Sequence, residues 1–202
     1  MSPQIAFTVV GAMAFAAAGF AAFAEPQAGG GQASVVLGPN DPRNPSPGLT
    51  LTTKGPDRPD KLNLTEAEWR KRLTKQQYAI VRGHGTEAAF CSPLLDVHEK
   101  GTFYCVGCGN ALFKTDAKFN SGTGWPSFWQ PATPDAVWYR LDTGYGMRRT
   151  EVLCAKCDGH IGHVFDDGPV DKGGRRYCMN GEALIFKKDP PPVVKPPAKD
   201  IP

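Results

Sequence analysis

The sequence of 202 residues has no sustained run of either charge sign: its 23 lysines and arginines are set against 20 aspartates and glutamates, for a formal net charge of +3. That excess is too small and too scattered for the electrostatic footprint of a nucleic-acid-binding surface. The one basic cluster, Arg70-Lys71-Arg72, falls in an expected helix, where it reads as a solvated face. Residues 25–61 hold GGG, PNDPRNPSPG and KGPDRPDK and have few apolar side chains to bury, so a disordered Pro/Gly-rich linker is expected there. The tail 189–202, DPPPVVKPPAKDIP, is expected to be disordered and extended in the same way.

Charge is also missing from Ile5 to Ala24, which ends in Ala22-Phe23-Ala24. An apolar stretch closed by a small-x-small site reads as a signal peptide over residues 1–24, and so as an exported protein, periplasmic or secreted. A membrane anchor is the alternative, because the run is long enough to span a bilayer. The remaining segment, residues 62–188, contains every cysteine, tryptophan and histidine of the chain.

Within it, Thr65 with Glu68 and Thr74 with Gln77 are capping boxes, which predict two short consecutive helices. From Gly101 onward the pattern becomes short runs of aromatic and β-branched residues bounded by Gly, Pro, Asp and Asn. GTFYCV, ALFKT, AVWYRLD, MRRTEVLC, HVFDD, RRYCMN and ALIFKK predict a compact antiparallel β domain.

Two C-x-x-C pairs, Cys105/Cys108 and Cys154/Cys157, each have glycine or Asp-Gly beside the second sulfur. Two such turns suit one four-thiolate zinc site. Disulfides are open to an exported chain, and a thioredoxin-like redox pair is a third reading, although no βαβ pattern surrounds either pair. In CAKCDGHIGH, Cys154, Cys157, His160 and His163 recur every third residue. Side chains so spaced along a regular element spread too far to converge on one tetrahedral ion, and Cys105 and Cys108 offer simpler partners. His160 and His163 are thereby left for other chemistry.

Cys91 and Cys178 remain. They could form a structural disulfide or be two buried thiols, but Arg175 and Arg176 precede Cys178, and nearby cations favour the nucleophilic thiolate. In SGTGWPSFW, Gly124 and Pro126 could present Trp125 to a ligand; a surface-packing cap is the alternative.

The strings GTEAAF, CVGCGNALF, NSGTGWPSF, CAKCDGHIGHVFDDGP and RRYCMN, in this order, resemble the B-type methionine sulfoxide reductases over Leu64 to Phe186. The resemblance implies a mainly β fold over 62–188, with two small antiparallel sheets, short N-terminal helices and a structural zinc held by Cys105, Cys108, Cys154 and Cys157. It implies Cys178 as the catalytic nucleophile, with Asn180 and Arg176 beside it and His160 and His163 as proton donors and positioning groups. Trp125 would receive the substrate methyl group, and Phe128 would form a further pocket wall. The implied reaction reduces the R epimer of methionine sulfoxide in oxidised proteins or peptides. Cys178 becomes a sulfenic acid, a second thiol condenses with it, and a thioredoxin-like dithiol reductant restores both.

Two departures stand out. Thr123 occupies a loop position where family members often carry the resolving cysteine, which leaves Cys91 for that role. Gly181-Glu182 follows Asn180 where small or hydroxyl residues are commoner, which disfavours acidic substrates. The expected enzyme is a monomer with no nucleic-acid partner. A zinc-stapled binding module that grips a peptide with its aromatic loop, Cys178 being inert, is the rival reading.

Overall fold

The computed structural model describes residues 35–190. The expected leader at 1–24 and nearly all of the tail lie outside the described residues, among which no helix is long and apolar enough to cross a membrane.

Both capping boxes form. Thr65 closes the first turn of α1 (Glu66–Arg72) with Glu68, and Thr74 does the same with Gln77 for α2 (Lys75–Val81). In each, the threonine hydroxyl accepts from a free backbone N–H of the first turn while the Glu or Gln side chain returns to the cap. Trp69 of α1 and Ile80 and Val81 of α2 are the buried side of this pair.

The rest is β structure in two antiparallel sheets. The smaller has the order β2-β1-β9, from Ala111–Lys114, Gly101–Cys105 and Leu184–Lys188. The larger has the order β3-β4-β8-β7-β6-β5. Its strands are β3 (Lys118–Phe119), β4 (Ser127–Phe128), β5 (Val137–Asp142), β6 (Arg149–Cys154), β7 (His160–Phe165) and β8 (Arg176–Met179). The mainly β expectation therefore holds, with β3 and β4 as short pairings inside what reads as loop.

Strand alternation divides the larger sheet into two faces. One row, Phe128, Tyr177, Val164, Thr150 and Leu141, runs across β4, β8, β7, β6 and β5 and is buried throughout. Phe113 of the smaller sheet stacks on Phe128 at 4.5 Å and Phe103 meets it edge-on at 5.0 Å, so the core lies between the sheets. Burying three such rings removes a large apolar area from water.

Residues 35–61 correct the expectation of a disordered linker over 25–61, of which 25–34 lie outside the described residues. Leu37 and Leu51 bridge one another, Leu51 bridges Tyr139 of β5, and both leucines are buried with Leu49. The Asn44 side chain donates to the carbonyls of Gly38 and Leu49 and accepts from the N–H of Ser46, which organises the Pro-rich turn. Arg148 and Arg175 donate to the carbonyls of Arg43 and Pro47, and Lys61 pairs with Asp158 at 2.7 Å. The segment has too few apolar residues for a core of its own, but three leucines suffice to seat a strap on an existing one.

Candidate active site

The two C-x-x-C turns are built alike. In each, the first cysteine donates its N–H to the carbonyl five residues on (Asn110, Gly159) and accepts at its own carbonyl from the N–H four residues on (Gly109, Asp158). This winding needs a left-handed residue, supplied by Gly109 at φ 72° and Asp158 at φ 56°. The four sulfurs lie within 4.8 Å of one another, with Cys105 3.7 Å from Cys157 and Cys108 3.5 Å from Cys154. Thiolates 2.3 Å from a tetrahedral ion stand about 3.8 Å apart, so the donor set and its spacing fit a four-thiolate metal. These S–S separations are far too long for disulfides.

Three residues past Cys157 begins β7, and here the strand is irregular. Val152 faces Gly162 and Leu153 faces His160, so Ile161 is an extra residue, a β-bulge. Side chains three apart in a regular strand point to opposite faces. The bulge restores His160 to the face of His163, and their rings meet at 5.3 Å, near perpendicular.

That face carries a second row. Arg140, Glu151, His163, Cys178 and Ser127 are successive partners across β5, β6, β7, β8 and β4. His163 and Cys178 are thus cross-strand neighbours and line one cavity of about 120 Å³ with Trp125, Asn180, Phe165, Arg149, Gly162 and Thr86. The cavity is open enough to admit the end of a side chain and little more.

Each imidazole has its own carboxylate. His160, 1% exposed, faces Glu151 through Nδ1 at 2.7 Å, and His84 Nδ1 reaches the same oxygen at 2.6 Å. Arg140 Nε donates to the other oxygen at 2.8 Å. His163 Nε2 lies 2.8 Å from Asp142, which also accepts from Arg149 Nη2 at 2.6 Å and from the Gly144 N–H at 2.8 Å. Burial opposes ionisation of both carboxylates, but the histidine bonds and nearby charges outweigh it and hold Glu151 and Asp142 well below the usual carboxylate range. Burial pushes His160 below the ordinary imidazole value despite Glu151.

Cys178 corrects one expectation. Burial raises its pKa, and the Thr123 hydroxyl, 3.8 Å from the sulfur, and the Arg176 guanidinium only partly reverse this. Arg175 turns to the opposite side of the strand and bonds Pro47, so of the two flanking arginines it is Arg176 that acts on the thiol. Arg176 is itself anchored by two bonds to Asp167, at 2.8 and 2.7 Å, and covers the Phe165 ring.

Phe128 is a second correction. It belongs to the core row, fully buried between Phe113 and Phe103, because it stands one residue from Ser127 and points the other way. Phe165, two residues from His163, takes the place of the aromatic wall; alternation from His163 signals it once β7 is known to start at His160.

Glu87 organises the cavity's far side. Its N–H donates to Asn180 Oδ1, its carbonyl accepts from Trp125 Nε1, and its carboxylate accepts the N–H groups of Gly181 and Glu182. Asn180 also donates to the Ile161 carbonyl, tying it to the bulge. Cys91 is exposed on the turn that follows, where it lines a different cavity with Ser92, Gly181 and Glu182.

A family model described as the SelR domain matches residues 73–188. The chain belongs to the SelR family. It is 48% identical over 128 residues to a peptide methionine sulfoxide reductase MsrB of Leptospira interrogans, covering 63% of this chain and 97% of the relative. An enzyme of the same name from Bradyrhizobium diazoefficiens is 53% identical over 125 residues, 62% of this chain and 89% of its own. The one from Agrobacterium fabrum is 48% identical over 127 residues, 63% and 93% respectively. The SelR match takes in both cysteine turns and the cavity around Cys178, whereas the strap over residues 35–61 precedes it.

Proposed function

We propose that this SelR protein is a peptide-methionine (R)-S-oxide reductase, with Cys178 as the sulfur nucleophile. The observation that carries the reading is the convergence of Cys178, His163, Asn180 and Trp125 on one small cavity, in a chain whose relatives are named peptide methionine sulfoxide reductases. The indole face suits the substrate methyl group, and the cavity volume suits a methionine side chain presented by a protein or peptide. The Cys178 thiolate attacks the sulfoxide sulfur, a proton reaches the sulfoxide oxygen, and oxygen passes to Cys178 as a sulfenic acid while methionine leaves. Arg176 favours the thiolate, Asn180 is tied through Glu87 to Trp125, and His160 supports His163.

Zinc is the metal best suited to Cys105, Cys108, Cys154 and Cys157; it would join the two turns without touching substrate. Cys91 is the remaining thiol for resolving the sulfenic acid, releasing water and leaving a Cys91–Cys178 disulfide for a thioredoxin-like dithiol to reduce. It sits beyond Glu87 on a turn whose Phe90 N–H bonds the Gly124 carbonyl, so the turn must shift for the sulfurs to meet. The uncharged segment Ile5–Ala24 supports export or anchoring of this activity.

Cys178→Ser should abolish turnover of R-methionine sulfoxide with metal content unchanged; retained turnover would remove Cys178 from the chemistry. One equivalent of sulfoxide should consume two thiols in the parent protein and one in Cys91→Ser, read by thiol counting. Equal losses in both would mean that Cys91 is not the resolver.

A further inference from the structure

We propose that Asp142 is the positioning residue that makes His163, and not His160, the proton-carrying imidazole for Cys178; the inference rests on the reductase reading above.

The two histidines share a face and nearly touch, yet their surroundings differ. His160 donates Nδ1–H into Glu151, which is 2% exposed and already engages His84 and Arg140. Its Nε2 is buried without a hydrogen-bond partner. A ring fixed on one side and enclosed on the other has no route for handing a proton to substrate, and it is absent from the cavity wall. His160 therefore acts as a rigid backing for His163.

His163 lines the cavity and stands directly across from Cys178. Its Nε2–H is held by Asp142, whose own position is set by Arg149 and the Gly144 N–H. A neutral imidazole so held carries its lone pair on Nδ1. The arrangement of nucleophile, imidazole and orienting carboxylate is the general one for activating a weak nucleophile. Burial makes that activation necessary, because it suppresses the spontaneous thiolate.

The proton account closes. His163 Nδ1 takes the Sγ–H proton of Cys178, and the thiolate attacks the sulfoxide sulfur. Nδ1–H then returns the proton to the sulfoxide oxygen. The sulfoxide S–O bond and the transient S–S bond made by the attack both break as an S–O bond forms on Cys178, giving Cys178–SOH and the thioether. The methionine sulfur gains the two electrons that Cys178 loses. Asp142 stays ionised throughout and stabilises the transient imidazolium.

Asp142→Asn tests this, since an amide in that place no longer favours Nε2–H. Turnover with dithiothreitol should show kcat lowered by about tenfold or more and KM changed by less than about twofold, within the range for loss of proton transfer. Metal content and the near-ultraviolet spectrum should be unchanged, and Asp142→Glu should restore part of the rate. A kcat for Asp142→Asn within about twofold of the parent would overturn the assignment. Nitrogen-15 NMR of His163 in the resting parent protein gives an independent answer even if the variant fails to fold. Protonation at Nε2 is expected, and protonation at Nδ1 would overturn it. Absence of sulfoxide turnover in the parent protein would instead sink the reductase reading, and the NMR result would still decide whether Asp142 holds His163.

Discussion

Cys178 is subject to opposing influences: burial and the Asp167 carboxylate suppress its thiolate, while Arg176 and Thr123 favour it. Burial dominates, and the Arg176 charge and Thr123 hydroxyl reduce its effect. Alkylation by iodoacetamide should therefore accelerate with pH through and beyond the range of a free cysteine. Arg176→Met should move the curve further toward alkaline pH. Mass spectrometry of the Cys178 peptide measures both, and a midpoint below that of free cysteine would contradict the balance. The residue types at this site were legible in the sequence: cysteines, histidines and a tryptophan in short motifs declare their chemistry by type. The sign of the Cys178 shift was not, because flanking arginines are visible in a string and desolvation is not. Asp142 and Arg149 were equally hidden, since each ends a strand and reaches His163 or its carboxylate only through sheet register.

The elements of the fold were legible wherever their signals are local. Both capping boxes and the two matched cysteine turns depend on residues within five positions of one another, and each formed as expected. The faces of the strands were less accessible. His160 and His163 share a side because of the bulge at Ile161, and Phe128 leaves the pocket because of its parity with Ser127. Neither follows from spacing alone, as a bulge is a property of two strands together. Gly162 shows how tightly this pairing is drawn. A Cβ there would stand 2.2 Å from the Cys178 carbonyl oxygen and 2.9 Å from Met179 Cα, both backbone atoms that cannot swing away. Gly162→Ala should push β7 from β8, lowering stability by about 1–3 kcal/mol as overpacking does, and should lower kcat by disturbing the His163–Cys178 spacing. A denaturant melt alongside steady-state kinetics tests this; unchanged stability would mean that the strands separate freely at this point.

At the scale of the whole molecule, the strap over residues 35–61 was the largest departure from expectation. Composition describes whether a segment can make a core, not whether it can join one. Leu51 is fully buried, bridging Leu37 and Tyr139, and the Thr52 N–H beside it bonds the Tyr139 carbonyl of the outermost strand. Leu51→Ala should cost about 2–5 kcal/mol, as deletion of a buried leucine does, and lower the thermal midpoint with little change in KM because no residue of the strap lines the cavity. A calorimetric midpoint equal to the parent's would show that the strap adds nothing to stability.

The cysteine turns have a further consequence for how the chain's own sulfurs meet an oxidant. Cys105 and Cys154 are fully buried and Cys157 is 3% exposed, whereas Cys108 is half-buried, Cys91 is exposed and Cys178, half-buried, opens onto a cavity. Sulfur oxidation follows access as well as thiolate character. The fold thereby sorts its own thiols by access: three of the four clustered sulfurs are closed off, Cys108 and Cys178 are partly open, and Cys91 stands in solvent.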